Sequence, residues 1–162
     1  MARRDELRRV EQALTRTARL SMGRGAARLR SNRSGIDLSR PAIRILAELR
    51  DAGPVRPTLL ARLCDLEAPV VSRELRGLEA AELVRRFADP TDGRASLIEI
   101  MPDGRATSLR YRAAVDEIID ETFAAWTAAD LKALAVYLER VVVDFSKPRA
   151  PQGRGATPER KS

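Results

Sequence analysis

Arg73 and Arg76 stand three residues apart, and Arg94 closes the run Asp89-Pro90-Thr91-Asp92-Gly93-Arg94. These are the side chains whose type and spacing point to a chemistry. A guanidinium stays charged at every biological pH and presents its donors in a rigid fork, matching the paired acceptors of a phosphate or a base edge. On a helix, a spacing of three puts Arg73 and Arg76 on one face. That chemistry is recognition rather than bond making. The plain alternative is two solvated arginines neutralised by Glu74 or Glu79.

Catalysis has little to work with. The 162 residues include no His and one Cys, Cys64, which removes the commonest general base, the commonest metal ligand and any disulfide framework. There is no Gly-rich phosphate loop or Gly-x-Ser-x-Gly elbow, and the carboxylates fall on helical faces beside opposite charges. A protein that is not an enzyme, with no cofactor and no metal, is expected. Cys64 lies in an apolar stretch between Leu63 and Leu66 and reads as a buried structural thiol rather than a redox sensor. No run of 18 apolar residues is present to span a membrane, and MARRDELRRV lacks the apolar stretch of a secretory signal, so a cytoplasmic location is expected.

The net charge of +7 favours a polyanionic partner, but its distribution is uneven. Residues 1–33 hold ten Arg against three acids, and residues 147–162 hold five bases against one acid. Residues 56–105, which contain Arg73, Arg76 and Arg94, hold eight Arg against nine acids. The middle of the chain is no simple basic patch.

The elements that must position these arginines are mainly helical. Hydrophobic residues make up 44% of the chain and aromatics only 4%, so the core must be aliphatic, a composition that favours helices. Leu7, Val10, Leu14, Ala18, Met22, Ala26 and Leu29 recur every three or four residues and predict one long amphipathic helix over 5–33, weakened at Gly23 and Gly25. Ser34-Gly35 ends it, and Ser39 with Pro41 starts a second helix over about 39–51, stopped by Asp51-Ala52-Gly53-Pro54. Short helices follow over about 57–64 and 68–81, each with a Pro in its first turn. Leu83, Val84 and Phe87 enter a strand, residues 89–94 turn, and Ser96–Ile100 returns as the second arm of a hairpin. Asp103 opens another long helix to about Ala124, and Thr127 with Asp130 caps a last one ending near Phe145.

Helix, helix, short helix, helix, hairpin is the order of a winged helix-turn-helix. Ala61 is small where two helices cross, Asp65 falls in the turn, and Val71 follows ten residues after Ala61 as a core contact. The segments Pro69–Leu78, Glu82–Arg86, Asp89–Ala95 (a D-x-x-D-x-R wing tip) and Met101–Arg105 together resemble the MarR family over residues 5–146. Departures are Glu67 and Arg56 where helix-capping residues belong, Glu74 at a usually apolar place, and Gly77 near a helix end.

The resemblance implies a mainly α winged helix-turn-helix with long N- and C-terminal dimerisation helices and a two-stranded wing. It implies a homodimer on a palindromic double-stranded DNA operator, acting as a repressor relieved by a small-molecule effector. Residues 5–33 and 103–146 would form the dimerisation region, 36–101 the DNA-binding domain, and 147–162 a disordered basic tail. Pro69, Val70, Ser72, Arg73 and Arg76 would face the major groove, with Val70 against a thymine methyl. Arg94 would enter a minor groove, with Asp92 bracing the wing. Arg85 and Arg86 point opposite ways on a strand, and Arg86 is the one assigned to phosphate. Tyr111, Phe123, Trp126 and Tyr137 either line an effector pocket or are simply core. The rival reading is a helical interaction protein that keeps the winged fold without binding DNA, favoured by the balanced middle segment. An RNA-binding module would need aromatic stacking platforms that the sequence lacks.

Overall fold

The computed structural model describes residues 2–147, and the chain divides into two compact units, residues 1–122 and 123–162. The expected basic tail lies, beyond Lys147, outside the described residues.

The first unit opens with α1 (Ala2–Met22) and α2 (Arg24–Ser34), so the single helix expected over 5–33 is broken at Gly23. There the backbone turns extended (φ −72°, ψ 172°), and a Cβ would sit 2.6 Å from the Arg19 carbonyl oxygen. Only Gly tolerates that approach. The carbonyls freed at the end of α1 are taken up by arginines: Arg30 Nη1 donates to Ser21 O (3.0 Å) and Arg40 Nη1 to Met22 O (3.2 Å). Gly35, in the left-handed region at φ 65°, ends α2.

Helix α3 (Arg40–Ala52) starts as read from sequence, with the Ser39 hydroxyl accepting from Ala42 N–H at 3.1 Å. Helices α4 (Pro57–Leu63) and α5 (Ala68–Ala80) meet across a tight turn. Asp65 takes a left-handed conformation (φ 49°), and Leu66 N–H reaches back to Ala61 O at 2.9 Å. Strand β1 (Val84–Asp89) pairs antiparallel with β2 (Asp92–Ile100), Val84 opposite Ile100 and Phe87 opposite Leu97. The turn is tighter than expected: only Pro90 and Thr91 lie between the strands. Ala88 pairs with Ser96 but Asp89 with Asp92, so residues 93–95 bulge out of β2. On its other edge Ile98 exchanges both backbone hydrogen bonds with Val55.

Ile45, Leu46 and Leu49 of α3, Leu60 of α4, Cys64, Val71, Leu75 and Leu78 of α5 and Ile98 of the wing form one fully buried aliphatic core. Helix α6 (Pro102–Thr122) packs beside α2 and α3. Arg33 of α2 pairs with Glu121 (2.7 Å) and Glu117 (3.4 Å) of α6, and Arg50 of α3 donates to the buried Ser108 hydroxyl at 3.0 Å.

The second unit holds α7 (Ala128–Ser146), begun by a full capping box in which Thr127 and Asp130 satisfy each other's backbone N–H. Phe123 and Trp126 meet edge to face, ring centroids 5.2 Å apart. Neither α1 nor α7 buries a residue. Among the described residues no helix is long and apolar enough to cross a membrane.

Two glycines with opposite surroundings test this packing. A Cβ on Gly104 would lie 2.1 Å from the Leu83 carbonyl oxygen, which already accepts from Met101 N–H, so Gly104 lets α6 start against the strand entry. Gly77, on the exposed face of α5, has nothing within 4 Å of a Cβ. In urea unfolding, Gly104→Ala should lose about 1–3 kcal/mol. Gly77→Ala should gain about 0.5–1 kcal/mol from reduced backbone entropy of the unfolded chain.

Candidate nucleic-acid interface

Helix α5 is divided lengthwise. Val71, Leu75 and Leu78 are buried, while Pro69, Ser72, Arg73 and Arg76 are exposed and Val70 is half-buried. The expected reading residues therefore share the solvent face of one helix. The N-cap Glu67 makes no side-chain cap. Pro69 in the first turn carries no N–H, which removes one of the donors left over there.

Of the four arginines on α5 and β1, three are held by carboxylates. Arg73 Nη2 donates to Glu74 Oε1 at 3.0 Å, and Glu74 Oε2 accepts the Ser39 hydroxyl at 2.6 Å. Those bonds, Ser39 first, hold the Glu74 carboxyl below its usual range. Glu74 thus ties α5 to the N-terminus of α3, which explains a carboxylate at a place that sequence reading expects to be apolar. Arg76 bends toward its own helix, Nε to Ser72 O at 3.4 Å. Arg86 bridges Glu79 of α5 (2.9 Å) and Ser96 of β2 (3.0 Å). Arg85 pairs with Glu99 at 2.7 Å and lies over the Phe87 ring, 5.6 Å from its centroid.

At the wing, Arg94 is exposed within the bulge, and its guanidinium has no ion pair among the described residues. Asp92 Oδ1 accepts from Arg94 N–H at 3.2 Å, so Asp92 contacts the Arg94 backbone rather than its side chain. The more buried brace is Asp89, whose side chain is 7% exposed. Its Oδ1 accepts from Thr91 N–H (2.9 Å) and Thr91 Oγ1 (2.7 Å), and its Oδ2 accepts from Arg56 at 2.8 and 2.6 Å. The Thr91 hydrogen bonds, joined by Arg56, pull the Asp89 carboxyl down to about 2. Local sequence marks Arg56 only as a misfit cap and does not single out Asp89. That misfit was the available signal, since a long cation at an N-cap has to find a partner elsewhere.

Other candidates disperse. Burial pushes the Cys64 thiol up to about 11, with the Glu48 charge adding to the rise, so it is neither a ready nucleophile nor an easily oxidised thiolate. Tyr111 lines a cavity of about 240 Å³ with Ile43, Ala47, Ser108 and Val115 of the first unit, whereas Phe123 and Trp126 pack edge to face on each other and Tyr137 is exposed. Among the described residues no group of three or more acidic or Cys side chains is arranged to hold a metal ion.

Comparison with known proteins places this geometry. A model of the MarR family matches residues 36–95. An uncharacterised HTH-type transcriptional regulator of Bacillus subtilis (strain 168), YxaD, is 41% identical over 69 residues, or 43% of this chain. The match covers about half the length of that relative (48%). The crystal structure of a probable transcriptional regulator from Pseudomonas aeruginosa is 30% identical, covering 82% of this chain and 92% of that one, with a TM-score of 0.61. A MarR variant from E. coli, crystallised with operator DNA, is 21% identical over 80% of this chain and 94% of its own, with a TM-score of 0.66. At that identity it shows the fold alone.

The Asp89 brace makes a pH prediction. A carboxyl lowered from 3.8 to about 2 on folding adds stability that is complete above its unfolded value and disappears as pH falls through its folded value. Asp89→Asn should therefore be less stable than the parent at neutral pH. The gap between their denaturation midpoints should close between about pH 4 and 2. A gap that stays constant down to pH 2 would mean the Asp89 charge does not support the fold.

Proposed function

Since the chain belongs to the MarR family of transcriptional regulators, we propose that it works as a homodimer on an imperfect palindromic operator in double-stranded DNA. One observation carries this reading: the exposed face of α5, with Ser72, Arg73 and Arg76, and the wing arginine Arg94 are mounted on a single buried core. A helix of this kind reads the major groove from its first two turns, and Pro69 and Val70 supply apolar contact there. Arg94, without an ion-pair partner among the described residues, is suited to the negative potential of a narrow minor groove. Arg86, oriented by Glu79 and Ser96, is assigned to backbone phosphate. The operator complex of the E. coli MarR variant supports DNA as the partner.

The first and last helices supply the dimer in this reading. Leu7 and Val10 of α1, and Leu131, Leu138 and Val142 of α7, are exposed at spacings that keep each set on one helical stripe. Such stripes are stable in water when a partner covers them, and twofold pairing is the commonest way to do so. The dimer represses where its operator overlaps a promoter. The small cavity lined by Tyr111, between α3 and α6, is the place assigned to an effector.

Two experiments test the proposal. Light scattering at micromolar concentration should give a dimer, and Leu138→Glu combined with Leu7→Glu should shift it to monomer; a parent chain that is already monomeric would falsify the assembly. On a panel of single-base operator variants, Arg73→Ala or Arg76→Ala should cost about 1–3 kcal/mol and relax preference at one base pair per half-site. Arg94→Ala should weaken binding while leaving the preferred major-groove bases unchanged, with any A·T preference confined to the flanks. Even losses across the panel for all three would remove α5 from base reading.

A further inference from the structure

Building on the assignment of Arg94 above, we propose that Arg56 is a positioning residue for DNA binding. It anchors the wing tip to the start of α4 and thereby sets where Arg94 stands relative to α5. The position would ordinarily hold a small polar residue whose oxygen caps the helix. Arg56 has the extended backbone of an N-cap (φ −68°, ψ 144°) but makes no side-chain cap. Its side chain instead crosses 33 residues of sequence to the hairpin turn.

There one guanidinium meets both carboxylates that shape the tip. Nε and Nη2 donate to Asp89 Oδ2 at 2.8 and 2.6 Å, and Nη2 lies 3.5 Å from Asp92 Oδ2. The second oxygen of each carboxylate holds the turn itself: Asp89 Oδ1 takes Thr91, and Asp92 Oδ1 takes the Arg94 N–H. Arg94 needs this support because residues 93–95 bulge out of the strand ladder, between the Asp89–Asp92 and Ala88–Ser96 pairs. The root of the anchor is firm, since the neighbouring Val55 is hydrogen-bonded through both its backbone groups to Ile98. With two carboxylates beside it, Arg56 has little charge left for a phosphate of its own. Its effect on DNA runs through Arg94.

A double-mutant cycle on the full chain tests this, using a duplex that the parent chain selects from a random-sequence pool. Arg94→Ala and Arg56→Gln should each weaken binding, roughly tenfold. The double variant should be no weaker than Arg94→Ala alone, because the Arg56 effect vanishes once Arg94 is gone. Equal factors in both backgrounds would overturn the inference and make Arg56 an independent contact, while leaving the assignment of Arg94 intact. A silent Arg94→Ala would sink that assignment and the inference together. Amide hydrogen exchange without DNA gives a second reading: Arg56→Gln should speed exchange at Thr91 and Arg94 while the α3 and α5 core amides keep their protection. Unchanged wing exchange would also overturn the proposal.

Discussion

The face proposed to read DNA depends first on Ile98. It has no exposed surface, lies opposite Arg86 in the hairpin, and exchanges both backbone hydrogen bonds with Val55 on the other edge. One residue therefore joins the wing, the lead-in to α4 and the aliphatic core that also buries the inner face of α5. Because side chains alternate along a strand, a slip of one position would expose Ile98 and bury a polar neighbour. Burying a side chain of this size stabilises by roughly 1.5–3 kcal/mol, enough to exclude the slipped register. The base of the wing and α5 are thus mounted on one buried core.

The balance of charge in the middle of the chain has a local explanation. Glu74, Glu79, Asp89 and Glu99 each hold an arginine, respectively Arg73, Arg86, Arg56 and Arg85. Five of the nine acids that weigh against a nucleic-acid surface in residues 56–105, these four and Asp92, are thus partners of basic side chains rather than a separate repelling face. The more exposed of these pairs, Arg85–Glu99 and Arg86–Glu79, add little to stability, on the order of 0–1 kcal/mol, whereas the carboxylates of Asp89 and Glu74 are largely buried. Their effect is to order long side chains before a ligand arrives, which reduces the entropy lost on binding. They also compete with an incoming phosphate, so such a surface gives up raw affinity and favours partners whose geometry suits the arginines as they stand.

Much of this architecture is legible from local chemistry. Ser39 caps α3, the Thr127–Asp130 box starts α7, and Gly35 and Gly53 end helices, all at or next to the places that periodicity and capping chemistry assign. The helix-turn-helix spacing is equally local: Ala61 and Val71 take the small and buried roles and Asp65 the turn position that their offsets require, the turn being made by a left-handed Asp65. Period and capping act over a few residues, so they survive without knowledge of the fold.

What only the tertiary structure decided are contacts between distant parts of the chain. Periodicity carried a helix through Gly23, because a Gly inside an apolar stripe is usually a tolerated cost; the break appears where the Arg19 carbonyl comes too close for any Cβ, and Arg30 and Arg40 take the freed carbonyls. Asp92 could be guessed as a brace from its place beside Arg94. Asp89 could not, since its role rests on Arg56 arriving from 33 residues away. Gly104 reads as an ordinary helix residue until the Leu83 carbonyl is set against it. Apart from the break at Gly23, the sequence by itself determined the elements, their order and the residues that face solvent on α5, because those follow from short-range spacing. Which arginine is held, by which acid, and at what place on the wing was decided by packing, since ion pairs between remote residues leave no period in the chain.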